Sequence, residues 1–124
     1  MTLGFDEIQV EKSAVGDLVT LIIKGKLEKE DYELFVPQLE GFMKGGNKIR
    51  LVVELRDFTG WTAGALWEDT KFAARHYSDI ERLAVVGDAG WEKGMTAFIK
   101  PFTAADVRYF DRREADRARA WIRK

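Results

Sequence analysis

Residues Lys48 to Trp67 read KIRLVVELRDFTGWTAGALW. A continuous apolar run from Ile49 to Leu55 stops at Asp57-Phe58-Thr59-Gly60, and a helical pattern follows at once. A short, β-branched run bounded by turn residues predicts a buried central strand. The break then falls at the carboxyl end of that strand and the amino end of the next helix. Open α/β folds place their binding sites there.

Working outward towards the amino end, Phe5 to Glu11 alternates loosely, with Ile8 and Val10 on one face, and predicts a half-exposed edge strand. Gly16-Asp17 signals a turn, and Leu18 to Ile23 (LVTLII) predicts a more buried second strand, antiparallel to the first. From Glu28 to Lys44 the apolar residues Tyr32, Phe35, Val36, Leu39, Phe42 and Met43 recur at helical spacing. Acids gather at the start of this helix, where the dipole favours them. Pro37 either kinks the helix or begins its regular part. Gly45-Gly46-Asn47 ends it.

Towards the carboxyl end, a second helix is predicted from Thr62, its N-cap, to His76, with Ala65, Leu66, Phe72 and Ala73 as its buried stripe. Leu83 to Val86 predicts a fourth strand. Asp88 opens a helix to about Ile99, which Pro101 ends, and Val107 to Phe110 predicts a fifth strand. Asp111 to Glu114 matches a capping box before a last helix whose inner face is Ala115, Ala118, Trp121 and Ile122. The order ββαβαβαβα predicts an α/β fold, a mixed five-stranded sheet flanked by four helices, as one domain over residues 1–124.

Composition narrows the function classes. The chain has 124 residues, a net charge of −1 and no cysteine. Thiolate nucleophiles, disulfides and thiolate metal sites are excluded. No run approaches the ~20 apolar residues of a membrane span. The first residues carry acids and no signal-peptide core. A cytoplasmic protein with no integral membrane segment is the expectation. No Walker, G-x-G-x-x-G or G-x-S-x-G pattern occurs. No cofactor is expected, and with one histidine no metal site is expected either.

The element order, the ELRDFTGW turn, the WEDTKF helix, the AVVGDAGW segment and the PFTAADVRYFDRREADRARAWI ending resemble the bacterial SpoIIAA-like proteins. These are relatives of the STAS (anti-sigma-factor antagonist) fold and, more distantly, of the Sec14 lipid-carrier fold. In true STAS antagonists the corresponding turn is Asp-Ser-Ser-Gly, and a kinase phosphorylates its second Ser. The resemblance places Thr59 at the phosphoacceptor position, Asp57 at the Asp and Gly60 at the Gly. Phe58 replaces the first Ser, and Trp61 follows where a smaller aliphatic is expected.

Each candidate has a plainer alternative. A phosphate on Thr59 would gain from a helix N-terminus, but an ordinary turn hydroxyl is the simpler role. Trp61, Trp67 and Trp91 fall near the carboxyl ends of strands three and four, and they form either a binding rim or the capped ends of the core. Asp57 and Asp88 with Lys71 would be the groups of a small hydrolase-like enzyme. Asp88 reads more simply as a helix cap, and Asp69 with Lys71 as a solvated face. His76 reads as an exposed helix C-terminal residue. Residues 108–124 carry a net charge of +4. Pairs such as Asp116–Arg112 and Asp116–Arg119 explain this without nucleic acid.

The expectation is therefore a non-enzymatic regulatory or binding module. Its partner is a protein or a small apolar or anionic ligand. Candidate contacts are Asp57, Gly60, Trp61, Trp67, Asp88 and Trp91, with Thr59 as candidate phosphoacceptor. A Sec14-type lipid carrier is the alternative. Exposed tryptophans and an edge strand are also compatible with a homodimer.

Overall fold

The computed structural model describes residues 5–14, 16–76, 78–87 and 104–124. Strand β1 (Phe5–Ser13) pairs antiparallel with β2 (Gly16–Leu27). Helix α1 (Lys29–Phe42) follows, then β3 (Ile49–Trp61), α2 (Ala63–Arg75), β4 (Ile80–Gly87), β5 (Asp106–Asp111) and α3 (Ala115–Arg123). The five strands lie in chain order, and β2 to β5 are parallel. The mixed five-stranded sheet agrees with the reading of the sequence. Three α-helices lie among the described residues. The fourth expected helix, from Asp88 to about Ile99, lies outside them.

Alternation along the central strands divides the core in two. Ile49, Leu51 and Leu55 of β3 join Val19, Leu21 and Ile23 of β2 under α1 and α2. Val52 points the other way, with Leu18, Ala84, Val86 and Phe110, onto Ala118, Trp121 and Ile122 of α3. A strand buried on both faces has to be apolar at consecutive positions, which accounts for the unbroken run in β3.

Strand β3 is longer than its sequence suggests. Its pairing runs from Ile49 to Arg56, breaks, and resumes at Lys26↔Gly60 and Leu27↔Trp61. Asp57, Phe58 and Thr59 bulge opposite the single residue Gly25. The turn residues are consumed by this bulge: Asp57 has φ +49° and Gly60 φ +122°. Aspartate tolerates the left-handed region, and Gly60 supplies a conformation that a side chain disfavours. Helix α2 starts after it, and Thr62 caps it as expected, with Oγ1 accepting the Ala65 N–H at 3.1 Å.

Helix α1 carries Pro37 in its interior, and Gly45 and Gly46, both at positive φ, turn the chain back towards β3. Asp31 lies fully buried at the start of α1. Its two carboxylate oxygens accept the N–H groups of Phe5 and Glu28 at 2.9 and 2.7 Å. This ties the edge strand to the helix.

Candidate partner-binding site

The carboxyl end of β3 alternates between core and solvent. Phe58 is buried, while Asp57 and Thr59 are exposed. Thr59 therefore lies in the bulged strand, three residues before the cap of α2, and not at the helix start as the sequence suggested. Phe58 packs edge-on against Trp61 with ring centroids 4.8 Å apart. A half-buried indole N–H needs an acceptor. Trp61 Nε1–H donates to Tyr32 Oη at 3.0 Å, and Tyr32 Oη–H donates to Asp69 Oδ1 at 2.9 Å. One polar chain thus joins β3, α1 and α2, and gives Trp61 a structural task.

Burial pushes the Asp69 carboxyl above the usual range, and the Tyr32 bond offsets part of that rise. Burial and the neighbouring Asp69 push the Tyr32 hydroxyl far up as well, so it keeps its proton and remains a donor. The sequence had placed Asp69 on a solvated face. A legible signal was Tyr32, an apolar-stripe residue whose hydroxyl required a partner.

Helices α1 and α2 lie side by side and run the same way. A side chain at Gly64 would meet Lys29 near their starts. Tyr32 meets Asp69 further along, and Glu40 meets Arg75 and His76 near their ends. Between them runs a groove of about 340 Å³. Tyr32, Val36, Pro37 and Phe72 line it with apolar and aromatic surface, and charged side chains wall it. Lys71 pairs with Glu68 at 2.8 Å and Arg75 with Glu40 at 3.1 Å. The Lys71 bond holds the Glu68 carboxyl below its usual range. His76, then Arg75, do the same for Glu40.

His76 corrects an expectation. Its side chain is only 11% exposed. Its two ring nitrogens lie 2.7 Å from Glu40 and 2.7 Å from Asp79. It joins the end of α1 to the turn before β4.

The outer surface of the two helices carries large apolar side chains among its charged ones. Trp67 is 63% exposed, Leu66 45% and Leu34 47%. Leu66 had been expected in the buried stripe, but Ala65 alone on α2 is fully buried. Lys71 Nζ stands 6.0 Å over the Trp67 ring. Asp57 and Gly60 lie at the end of β3, Trp61 is turned into the structure, and Trp67 is turned out. Asp88 and Trp91 lie outside the described residues.

Arginines from β3, β4 and β5 pack around the end of α3. Buried Arg50 donates to the Ile122 carbonyl at 2.8 Å and to Glu81 at 2.7 Å. Arg82 donates to the Trp121 carbonyl at 2.7 Å. Arg50 thus satisfies the Ile122 carbonyl at the end of α3, and Arg82 adds a second donor to the Trp121 carbonyl, which also accepts the Lys124 N–H at 3.2 Å. The Arg82 and Arg108 guanidinium carbons each lie 5.1 Å from the centroid of the Trp121 ring. On α3 itself, Arg119 pairs with Asp116 as expected, and Arg123 reaches Glu11 of β1.

The family model for SpoIIAA-like proteins matches residues 18–123. This chain belongs to the SpoIIAA-like family. Its structure is similar to the crystal structure of a DUF3478-family protein with a SpoIIAA-like fold from Shewanella loihica PV-4. The TM-score is 0.84 at 25% identity, covering 98% of this chain and 96% of that one. No curated protein matches the chain. Among the described residues no helix is long and apolar enough to cross a membrane.

Proposed function

We propose that this SpoIIAA-like protein is a non-enzymatic binding module that receives a protein partner on the outer face of α1 and α2. Trp67 is the anchor, and the exposed Asp57–Thr59 bulge is the place where phosphorylation of Thr59 would add charge. The observation that carries this reading is the exposure of Trp67. The described tryptophans Trp61 and Trp121 are packed into the fold, whereas Trp67 stands out of it. Large aromatics at the centre of a face are typical binding anchors, because their desolvation is still to be gained.

Two other readings fit less well. A lipid carrier needs an apolar cavity, and the groove between the helices is walled by Glu33, Glu40, Glu68, Lys71 and Arg75. An enzyme using Asp57 and Lys71 needs them in one cleft, but Lys71 lines the groove and Asp57 does not.

A photo-crosslinking residue at position 67 of the protein in its own cell tests the proposal. A protein adduct is expected from that position and not from position 117 on α3. No adduct from position 67 under any growth condition would refute it.

A further inference from the structure

We infer that His76 is a pH-sensitive clasp: with both ring nitrogens protonated it fastens the end of α1 to the turn before β4, and on losing one proton it lets α1 go. The inference concerns regulation of the α1–α2 pair and does not depend on what that pair binds.

Three observations carry it. The first is geometry. Nδ1 lies 2.7 Å from Asp79 Oδ2, and Nε2 lies 2.7 Å from Glu40 Oε2. An ionised carboxylate can only accept hydrogen bonds. Both contacts are therefore hydrogen bonds only while each ring nitrogen carries a proton, the imidazolium form. A neutral ring has one N–H and turns a lone pair on one of the two carboxylates.

The second is enclosure. The His76 side chain is only 11% exposed, and the Phe72 ring stands 4.8 Å from it, centroid to centroid. The backbone is held on both sides: His76 N–H donates to the Phe72 carbonyl, and the His76 carbonyl accepts the Asp79 N–H. Solvent does not simply replace a partner lost in such a place.

The third is the placement of charge. Glu40 stands in the last turn of α1, where the helix dipole disfavours a carboxylate, and α1 has no basic residue in that turn. The compensating cations come from α2, as His76 and as Arg75 at 3.1 Å. His76 itself caps the end of α2, where a positive ring is favoured. The charged groups around the ring are thus Glu40 from α1, Asp79 from the turn and, through Glu40, Arg75 from α2.

These partners are unequal, and that decides which contact breaks. Glu40 keeps Arg75 when His76 lets go. Among the described residues the Asp79 carboxylate has no partner except His76. The remaining proton therefore stays on Nδ1, and the bond lost is the one from Nε2 to Glu40, which joins positions 36 apart in the chain. The bond to Asp79 stays closed within the turn. Glu40 and Arg75 also line the groove, so the release reaches its wall.

His76 is the only histidine of the chain, so every imidazole signal belongs to it. Long-range proton–nitrogen NMR of the full chain with isotope-labelled histidine, followed across a pH series, tests the inference. Both ring nitrogens should be protonated on the acid side of the titration, and Nδ1 alone on the alkaline side. Amide protection of residues 38–43, with the intrinsic pH dependence of exchange divided out, should fall about fivefold or more through the same titration. His76→Gln does not titrate and should abolish that step. A ring that never shows both nitrogens protonated between neutral pH and the carboxylate range overturns the inference. So does a proton that leaves Nδ1 instead, or a titration that leaves residues 38–43 unmoved. A step that persists in His76→Gln overturns it as well. The wild-type spectra decide the matter even where the variant does not fold.

Discussion

Asp69 shows how one half-buried acceptor organises its neighbours. Its carboxylate receives the Tyr32 hydroxyl, which in turn receives the Trp61 indole N–H. Trp61→Phe keeps the ring packing and removes one donor. A loss of about 1 kcal/mol in urea unfolding is expected. Asp69 also makes stability depend on pH. Its folded carboxyl titrates above the ordinary value, so the folded state holds the proton more tightly than the unfolded chain. Its contribution is present in full below the ordinary carboxyl range and is lost as pH rises through the raised value. Asp69→Asn keeps the acceptor for Tyr32 and removes this titration. Unfolding measured at a series of pH values should show the wild type losing stability relative to that variant as pH rises. A constant difference would refute the assignment. The neighbouring pair Leu66 and Trp67 shows a limit of periodicity: helical spacing locates a face but not which side of it the sheet occupies.

At the scale of elements, α3 is held at its end by arginines from β3 and β4. Arg50→Met keeps much of the apolar stem and removes the donor to Ile122. The carbonyl and Glu81 lose their partner, at a cost of about 1–3 kcal/mol. Amide exchange should rise first across α3. Exchange that rises equally in all helices would argue that Arg50 serves the whole fold. The α1–α2 pair has its own fastening in Glu40, which accepts from Arg75 and contacts His76. The Glu40 carboxyl titrates below its usual range. Its contribution is therefore present above the ordinary glutamate value and lost as pH falls through the lowered one. Glu40→Gln should remove that acid-side loss, and the site's partial exposure keeps the effect modest. Denaturation curves between neutral and acid pH would measure it. Elements with local signals were legible: Thr62 as a cap, Asp111 with Glu114 as a capping box, and Gly45-Gly46 as a helix end all act within a few residues. The length of β3 was not, because its last pairs depend on Lys26 and Leu27, more than thirty positions earlier in the chain.

For the whole molecule, the sheet divides the labour. One face carries α3, held through Arg50 and Arg82, and the other carries α1 and α2, with Leu34, Leu66 and Trp67 exposed on them. Trp67→Ala should leave the folded state's stability within about 0.5 kcal/mol, since the side chain is largely in water. A thermal melt would check this, and a large loss would mean that the indole belongs to the fold. The amino-acid sequence by itself determined the α/β class, the five strands and their order, and the Asp57–Gly60 region as a special point. Periodicity, caps and turn residues are local and additive along the chain. Tertiary structure alone decided that Thr59 lies in a bulge, that Asp69 accepts the Tyr32 hydroxyl, that His76 is clasped between carboxylates and that Trp67 faces outward. Each of these depends on which segments, far apart in the chain, meet across the sheet and between the helices.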